Sequence, residues 1–239
     1  LEGFGAKSQE KILKGIEFLK RSSGRFILGH LLPHVRVIEE RLRALNGVKQ
    51  LTIAGSIRRR KETVGDADIL VISANPKPIM DYFVTMPEVV RVYAHGETKS
   101  AVKIKSGLDI DLRVVPPESY GAALNYFTGS KSHNVALRTM AVKRGWKLNE
   151  YGLYRGKKML AGGSEEELYK AFGMDYIEPE LRENNGEIER AQKHRLPRII
   201  SYGALKGDLQ VQTDWTDGSD SIEAMARAAI AQGLEYIAV

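Results

Sequence analysis

Apolar residues recur at helical spacing through the first 45 residues, and the period then shortens to that of strands. Ser8 suits a helix cap after the turn Gly3-Phe4-Gly5, and Ile12, Ile16 and Leu19 carry the helix that follows. In LLPHVRVIEERLRAL, Val35, Ile38, Leu42 and Leu45 form the apolar face of a second helix, with Pro33 as its start and Gly47 as its stop. From residue 50, QLTIAGS, ADILVIS, VRVYAHG and SAVKIKSGLDIDLRVV are β-rich and partly alternating. PKPIMDYFVTM between them is a helix or a loop, and Pro116-Pro117 ends this block, which predicts one sheet domain.

Residues 119–145 return to helical patterning in SYGAALNYF and NVALRTMAVKRG, joined by YFTGS with Gly129 at the turn. KLNEYGLYRGKKML predicts a hairpin or small sheet. Ser164 and Glu167, after Gly162-Gly163, make a capping box. Residues 182–206 mix charges with Pro197, lack an apolar face and read as a linker. From Gly207 a strand, a turn at Asp217-Gly218, the helix SIEAMARAAIAQG and a second strand begin a β/α unit.

Composition narrows the class. With 239 residues, 43% hydrophobic and 28% charged, the chain is neither disordered nor fibrous, and it is long enough for one or two cores. The net charge of +6 favours a polyanionic partner, nucleic acid first. With no cysteine there are no disulfides and no cysteine-based zinc site, and a reducing compartment is expected. No apolar run reaches membrane-spanning length, and no signal peptide is visible. The chain opens at Leu1 inside a motif and closes in the apolar run YIAV, so it reads as a fragment of a longer protein.

The densest chemistry lies in AGSIRRRKETVGDADILV, residues 54–71. Asp66 and Asp68 are two apart in a strand and project from one face. Adjacent carboxylates repel, which raises one pKa unless a cation holds them. A hard divalent ion such as Mg²⁺ does this through oxygen ligands, positioned against phosphate. A lone Asp-x-Asp is more often a surface turn. Here Gly55-Ser56 follows a strand, so a short loop can offer N–H groups to phosphate oxygens, and Arg58, Arg59 and Arg60 add guanidinium groups. A third carboxylate lies in DIDLRVV, where Asp109 and Asp111 share a face and periodicity does not choose between them.

Together these segments resemble the DNA polymerase β superfamily, and within it DNA polymerase family X of bacterial or archaeal type. Gly-Ser followed by Asp-x-Asp matches the superfamily, while GSIRRRKETVGDAD, IDLRVVP, YFTGSKSHNVALR and NEYGL match family X. The resemblance covers roughly residues 1–180. It implies an α+β multi-domain chain: a truncated helix-hairpin-helix segment (1–23), a nucleotidyltransferase palm of mixed β-sheet with helices (24–118), a small α/β nucleotide-binding and template-contacting subdomain (119–181), a linker (182–206) and the truncated start of a β/α PHP (polymerase and histidinol phosphatase) domain (207–239).

The resemblance also implies roles. Asp66, Asp68 and Asp111 are the catalytic and metal-binding residues, the last selected over Asp109 by the IDLRVVP match. Two Mg²⁺ ions are expected, with Mn²⁺ as an alternative. Gly55, Ser56, Arg59, Gly65, Tyr126, Phe127, Gly129, Lys131 and Asn134 are assigned to the nucleotide. Arg59 faces its β- and γ-phosphates, whereas Arg58, Arg60 and Lys61 meet solvent or DNA backbone. Lys131 stands where animal members carry an acid. Gly3, Gly5, Lys7, Arg113 and Arg138 are assigned to DNA, the first three through backbone N–H groups and charge that hold phosphate without reading sequence. Gln212 stands where PHP domains carry histidine, which argues against a nuclease there, and Asp214 and Asp217 are read as turn-formers.

The expected activity is DNA-directed nucleotidyl transfer to a primer 3′-hydroxyl, with gap filling in DNA repair as its setting. The partners are a primer–template or gapped duplex and a deoxynucleoside triphosphate. A monomer is expected, cytoplasmic and nucleoid-associated in a bacterium, with no membrane partner. The alternatives are a template-independent or other nucleotidyltransferase of the superfamily, or a non-catalytic DNA-binding scaffold.

Overall fold

Helix α1 (Leu28–Arg43) buries Leu31, Val35, Ile38 and Leu42 along one stripe in the computed structural model, which describes Gly5, residues 24–201 and residues 203–239. It begins five residues before Pro33, so the proline lies inside the helix rather than at its start. A proline there leaves one carbonyl of the preceding turn without its helical N–H. The expected helix-hairpin-helix, with Gly3 and Lys7, lies outside the described residues; Gly5 alone is described there and is exposed.

Short strands β1 (Phe26–Ile27) and β3 (Thr63–Val64) pair antiparallel beside a five-stranded sheet. The sheet contains β2 (Gln50–Ile53), β4 (Asp66–Ile72), β5 (Val89–His95), β6 (Lys99–Ile104) and β7 (Asp109–Val115), in the order β2-β4-β7-β6-β5. All neighbours are antiparallel except β4 and β7, which run parallel. The segment SAVKIKSGLDIDLRVV is thus two strands, and the segment between β4 and β5 contains helix α3 (Lys77–Val84), with Ile79, Met80 and Phe83 buried.

The two faces of the sheet differ. Ala67, Ile69 and Val71 of β4 join Ile110, Leu112 and Val114 of β7 in the main core, with the buried stripes of α1 and α3. Leu70 and Ile72 point the other way, into a smaller core with Tyr120, Ala123 and Leu124 of helix α4 (Tyr120–Thr128). By the two-residue strand period, Asp66, Asp68, Asp109, Asp111 and Arg113 share that second face. At its α4-covered end the face is apolar, and at the heads of β4 and β7 it carries charge.

A second core is built from α4, helix α5 (Lys131–Lys143), the antiparallel sheet β8 (Lys147–Asn149), β9 (Gly152–Arg155) and β10 (Lys158–Ala161), and helix α6 (Glu165–Ala171). Ser164 caps α6 by accepting from the Glu167 amide at 3.1 Å. Helix α4 lies so close to the start of α6 that a Cβ on Gly121 would fall inside the Ser164 backbone. Gly121 and Ala122 donate to the carbonyls of Gly163 and Gly162 at 3.1 and 2.9 Å.

The expected linker is only partly one. Helix α7 (Glu187–Gln192) buries Ile188 and Ala191 in the second core, and Arg182 is fully buried. The chain divides into two compact units between Leu196 and Pro197, so residues 182–196 belong with what precedes them. Six residues with two apolar anchors are too few for periodicity to register among so many charges.

The second unit, residues 197–239, contains strands β11 (Gly207–Asp208) and β12 (Tyr236–Ile237), parallel and joined through helix α8 (Ile222–Ala231). Ser221 caps α8 by accepting from the Ala224 amide. The turn at Asp217-Gly218 is tight: a Cβ on Gly218 would lie 2.6 Å from the Gln212 backbone. Among the described residues, no helix is long and apolar enough to cross a membrane.

Candidate active site

The parallel pairing of β4 with β7 sets the geometry. In its register Asp68 lies opposite Asp111 and Asp66 opposite Asp109. Asp68 is largely enclosed. Burial first, then the charges of Asp66 and Asp111, push its carboxyl up to about 7, against the opposing pull of Arg113 and Lys99. Asp111 meets Lys99 Nζ at 3.2 Å and Arg113 Nη2 at 3.3 Å. Asp109 is held at 2.8 Å by Lys103, whose ammonium is stabilised by that carboxylate. Asp111 therefore contributes to the field at Asp68, while Asp109 is engaged by Lys103.

Among the described residues, no three His, Asp or Glu side chains converge into a ready metal-binding group. The donor set still fits a hard divalent cation. It consists of carboxylate oxygens on one sheet face, and Asp68, enclosed and beside the charges of Asp66 and Asp111, is a carboxyl that a cation would help to ionise. In this arrangement Asp111 pairs with Lys99 and Arg113 instead.

Opposite the carboxylates, Gly55–Arg58 forms a single helical turn, α2, where a loop was expected. Gly55 adopts φ +65°, and a Cβ there would lie 3.2 Å from Asp68 Oδ2. Only glycine fits such a backbone against this carboxylate without strain.

A cleft of about 590 Å³ opens between α2, the head of β4 and the α4–α5 turn. Gly55, Ser56, Arg59, Gly65, Asp66 and Asp68 line one wall. Tyr126, Phe127, Gly129, Lys131, Asn134 and Arg138 line the other. Every residue assigned to the nucleotide from sequence is therefore in one cavity. Asp111 and Arg113 are not among its lining residues.

The α4–α5 turn is held from several sides. Gly129 has φ +66° and a cis peptide to Ser130, and a Cβ on it would meet Arg59 Nη1 at 3.2 Å. Ser130 accepts from the His133 amide, and its own amide donates to the Arg182 carbonyl at 3.1 Å. Asn134 Nδ2 donates to the Tyr126 carbonyl at 2.6 Å, while its buried Oδ1 has no hydrogen-bond partner. The Tyr126 and Phe127 rings meet edge to face at 5.0 Å, and the Arg113 guanidinium lies 4.4 Å above Phe127. Below the turn, His133 bonds Glu187 at 2.6 Å and Tyr169 at 3.0 Å. Burial holds the His133 imidazole below its ordinary pKa, with Arg182 adding to that and Glu187 opposing it.

The cation run 58–61 separates into different surroundings. Arg58, expected to meet solvent or DNA, is instead largely buried, its Nη2 2.7 Å from Glu165 and its Nη1 2.8 Å from Thr128 Oγ1. Arg182 bonds the same Glu165. Burial alone would raise the Glu165 carboxyl, but the two guanidiniums hold it below its ordinary range. Arg59 reaches the cleft and donates through Nη1 to the Thr128 carbonyl and through Nε to Glu183 Oε1 at 2.9 Å. Arg60 and Lys61 line an adjoining hollow of about 500 Å³.

Arg25, Lys99 and Glu183 also stand at the site, though no motif marks them. Arg25 lines the cleft, fixed by donating to Thr63 Oγ1 at 3.0 Å and to the Thr63 carbonyl at 2.6 Å. It reaches the cleft through the β1–β3 pairing, from some 40 residues upstream of the aspartates.

Comparisons with known proteins give the family context of the chain. Residues 123–183 match the family model of the DNA polymerase beta thumb. The chain is 36% identical over 243 residues to the DNA polymerase/3′-5′ exonuclease PolX of Bacillus subtilis, covering all of this chain and 42% of that protein. It is 30% identical over 145 residues to the repair DNA polymerase X of African swine fever virus, covering 56% of this chain and 82% of the viral protein. The chain thus spans less than half the length of the Bacillus relative.

Proposed function

The chain belongs to DNA polymerase family X, and from that premise we propose that it adds deoxynucleotides to a primer 3′-hydroxyl on a DNA template, filling gaps in DNA repair. One observation carries this reading. A sheet face bearing Asp66, Asp68 and Asp111 adjoins a single cleft lined by Ser56, Arg59, Tyr126, Phe127 and Asn134. Such a site brings a carboxylate cluster, phosphate-binding groups and a surface for sugar and base within one nucleotide's reach.

In this reading the primer oxygen attacks the α-phosphorus of the incoming triphosphate, and pyrophosphate leaves. Ser56, Arg59 and the additional guanidinium of Arg25 hold the triphosphate, which is positioning and charge compensation. Gly129 lets the α4–α5 turn approach the sugar, Tyr126 and Phe127 flank it, and Asn134 offers its unpartnered Oδ1 to the base. Lys131 and Gly65 complete the nucleotide's surroundings, while Arg113 and Arg138 serve the DNA. Asp111, paired with cations in this arrangement, takes the primer proton once those contacts yield. Two Mg²⁺ ions held by Asp66, Asp68 and Asp111 would supply the positive charge that acidifies the primer hydroxyl and stabilises the leaving oxygens.

The flanking segments extend the proposal. Residues 1–23 are read as a helix-hairpin-helix that grips DNA phosphate through Gly3, Gly5 and Lys7. Residues 207–239 are read as the start of a PHP domain. The Bacillus relative is named as a 3′-5′ exonuclease as well as a polymerase. Gln212 argues against carrying that activity over, since its Oε1 accepts from Thr216 Oγ1 at 3.1 Å within the turn.

The test is templated primer extension with Mg²⁺ by the Asp111→Ala variant. The expected result is a loss of several orders of magnitude, because a metal ligand supports a term worth several kcal/mol. Near-normal extension, or wild-type extension indifferent to template, overturns the reading.

A further inference from the structure

Glu183 meets the guanidinium assigned to the triphosphate. Its Oε1 accepts from Arg59 Nε at 2.9 Å and lies 3.6 Å from Lys61 Nζ, so one carboxylate faces a cation of the cleft wall and one of the adjoining hollow. Arg59 is only 14% exposed and Glu183 26%, so solvent screens the pair incompletely.

The carboxylate is held in place by its backbone. The preceding Arg182 carbonyl accepts from the Ser130 amide at 3.1 Å, and the Glu183 amide donates to the Leu181 carbonyl at 2.9 Å. The Arg182 side chain is fixed by Glu165 and by the Ile177 carbonyl at 2.9 Å. Glu183 is therefore carried on the same rigid support as the turn that closes over the cleft.

An arginine binds phosphate or carboxylate bidentately through a pair of adjacent N–H groups, and one such pair includes Nε. Glu183 takes that Nε. Its charge also offsets that of Arg59 in the absence of ligand.

Resting on the reading of Arg59 as a triphosphate ligand, we propose that Glu183 is an internal competitor for the phosphate clamp. It holds Arg59 in place until a polyphosphate displaces it, and so sets the apparent affinity for the incoming nucleotide. The carboxylate weakens binding of any single phosphate group more than that of a triphosphate, which brings enough charge to replace it. Glu183 thus acts as a specificity-determining residue that does not touch the reacting atoms.

The experiment measures steady-state primer extension and equilibrium binding of a deoxynucleoside triphosphate to the DNA-bound full chain. It compares wild type with Glu183→Gln, Arg59→Gln and the double variant. Glu183→Gln is expected to lower KM and Kd about two- to fivefold, the range of a partly exposed ion pair. The shift should fall on KM more than on kcat and vanish in the Arg59→Gln background. Inorganic phosphate should inhibit the Glu183→Gln variant more strongly than wild type. If Glu183→Gln does not fold, Glu183→Asp, shorter by one methylene, should shift KM in the same direction. An unchanged or raised KM in the folded variants, or a drop that persists without Arg59, overturns the proposal. If Arg59→Gln itself leaves KM unchanged, it is the assignment of Arg59 that fails.

Discussion

Asp68 and Asp111 are register partners across the parallel pair β4–β7, with their side chains on one face of the sheet. They belong to segments some 40 residues apart in the chain. Nothing else in the sheet's main core requires charge at this point, since the alternate residues Ala67 and Ile110 are buried in apolar surroundings. Stability alone would favour separating the two carboxylates, so their pairing is a functional cost built into the sheet.

That cost is measurable as a pH effect. Without a cation the Asp68 carboxyl keeps its proton up to about pH 7, whereas in the unfolded chain it ionises near ~3.9. Between those values the native state binds the proton and the unfolded state does not. The contribution of this group is therefore full below about pH 4 and is lost as pH rises to about 7. In chelator, the melting temperature of Asp68→Asn minus that of wild type should grow across that window, and Mg²⁺ should shrink the difference by stabilising wild type. A difference that stays flat with pH would refute the raised carboxyl.

Glu165 is expected to be the most sensitive ionic residue for stability. Glu165→Ala leaves Arg58 and Arg182 without their shared carboxylate inside the protein. Removing one partner of a buried ion pair costs about 3–5 kcal/mol, to be read from urea unfolding. Because Glu165 is held below its ordinary pKa, its contribution is present at neutral pH and lost as pH falls through that lowered value. A cost under about 1 kcal/mol, the level of a surface pair, would show the network to be dispensable.

Gly121 has no room for a methyl group because the obstacle is the Ser164 backbone, which cannot rotate aside as a side chain would. Gly121→Ala should cost about 3 kcal/mol or more, the upper range for overpacking. It should also shift α4, and nucleotide KM should rise in whatever folded fraction remains. Thermal melts and extension assays on the same preparation test both expectations.

Asn134→Ala removes the hold on the Tyr126 carbonyl and the unpartnered Oδ1 together. Losing one or two hydrogen bonds to the nucleotide and its support corresponds to about 1–2 kcal/mol. An order-of-magnitude fall in kcat/KM is the expected result, with melting temperature little changed. Wild-type kcat/KM would remove Asn134 from the site.

Local patterns disclosed what local patterns govern. The strands other than β1 and β3, the helices α4 and α5, the Ser164 cap and the β/α/β arrangement of the last 33 residues follow from period and punctuation. The cleft residues were legible because GSIRRR, DAD and YFTGS are contiguous motifs whose chemistry is explicit. Asp111 needed the family resemblance, since Asp109 and Asp111 are equivalent by periodicity and differ only in which cation and carboxylate stand nearby. Arg25 and Glu183 reach the cleft only through tertiary contacts, Arg25 by the β1–β3 pairing and Glu183 from beyond the expected subdomain boundary. The separate surroundings of Arg58 and Arg59 were hidden for the same reason: adjacent residues look alike until the partners on α6 and residue 183 are in place.

The segment from Arg182 to Ala191 changes where the first compact unit can be divided. A chain cut after residue 181 would retain Asp66, Asp68, Asp109 and Asp111 and the whole YFTGS motif. It would nevertheless lose the carbonyl that receives the Ser130 amide, the carboxylate that holds His133, and the guanidinium that shares Glu165 with Arg58. The smallest portion able to keep its own turn in position therefore extends to about Leu196, well past the last residue expected to touch nucleotide or template.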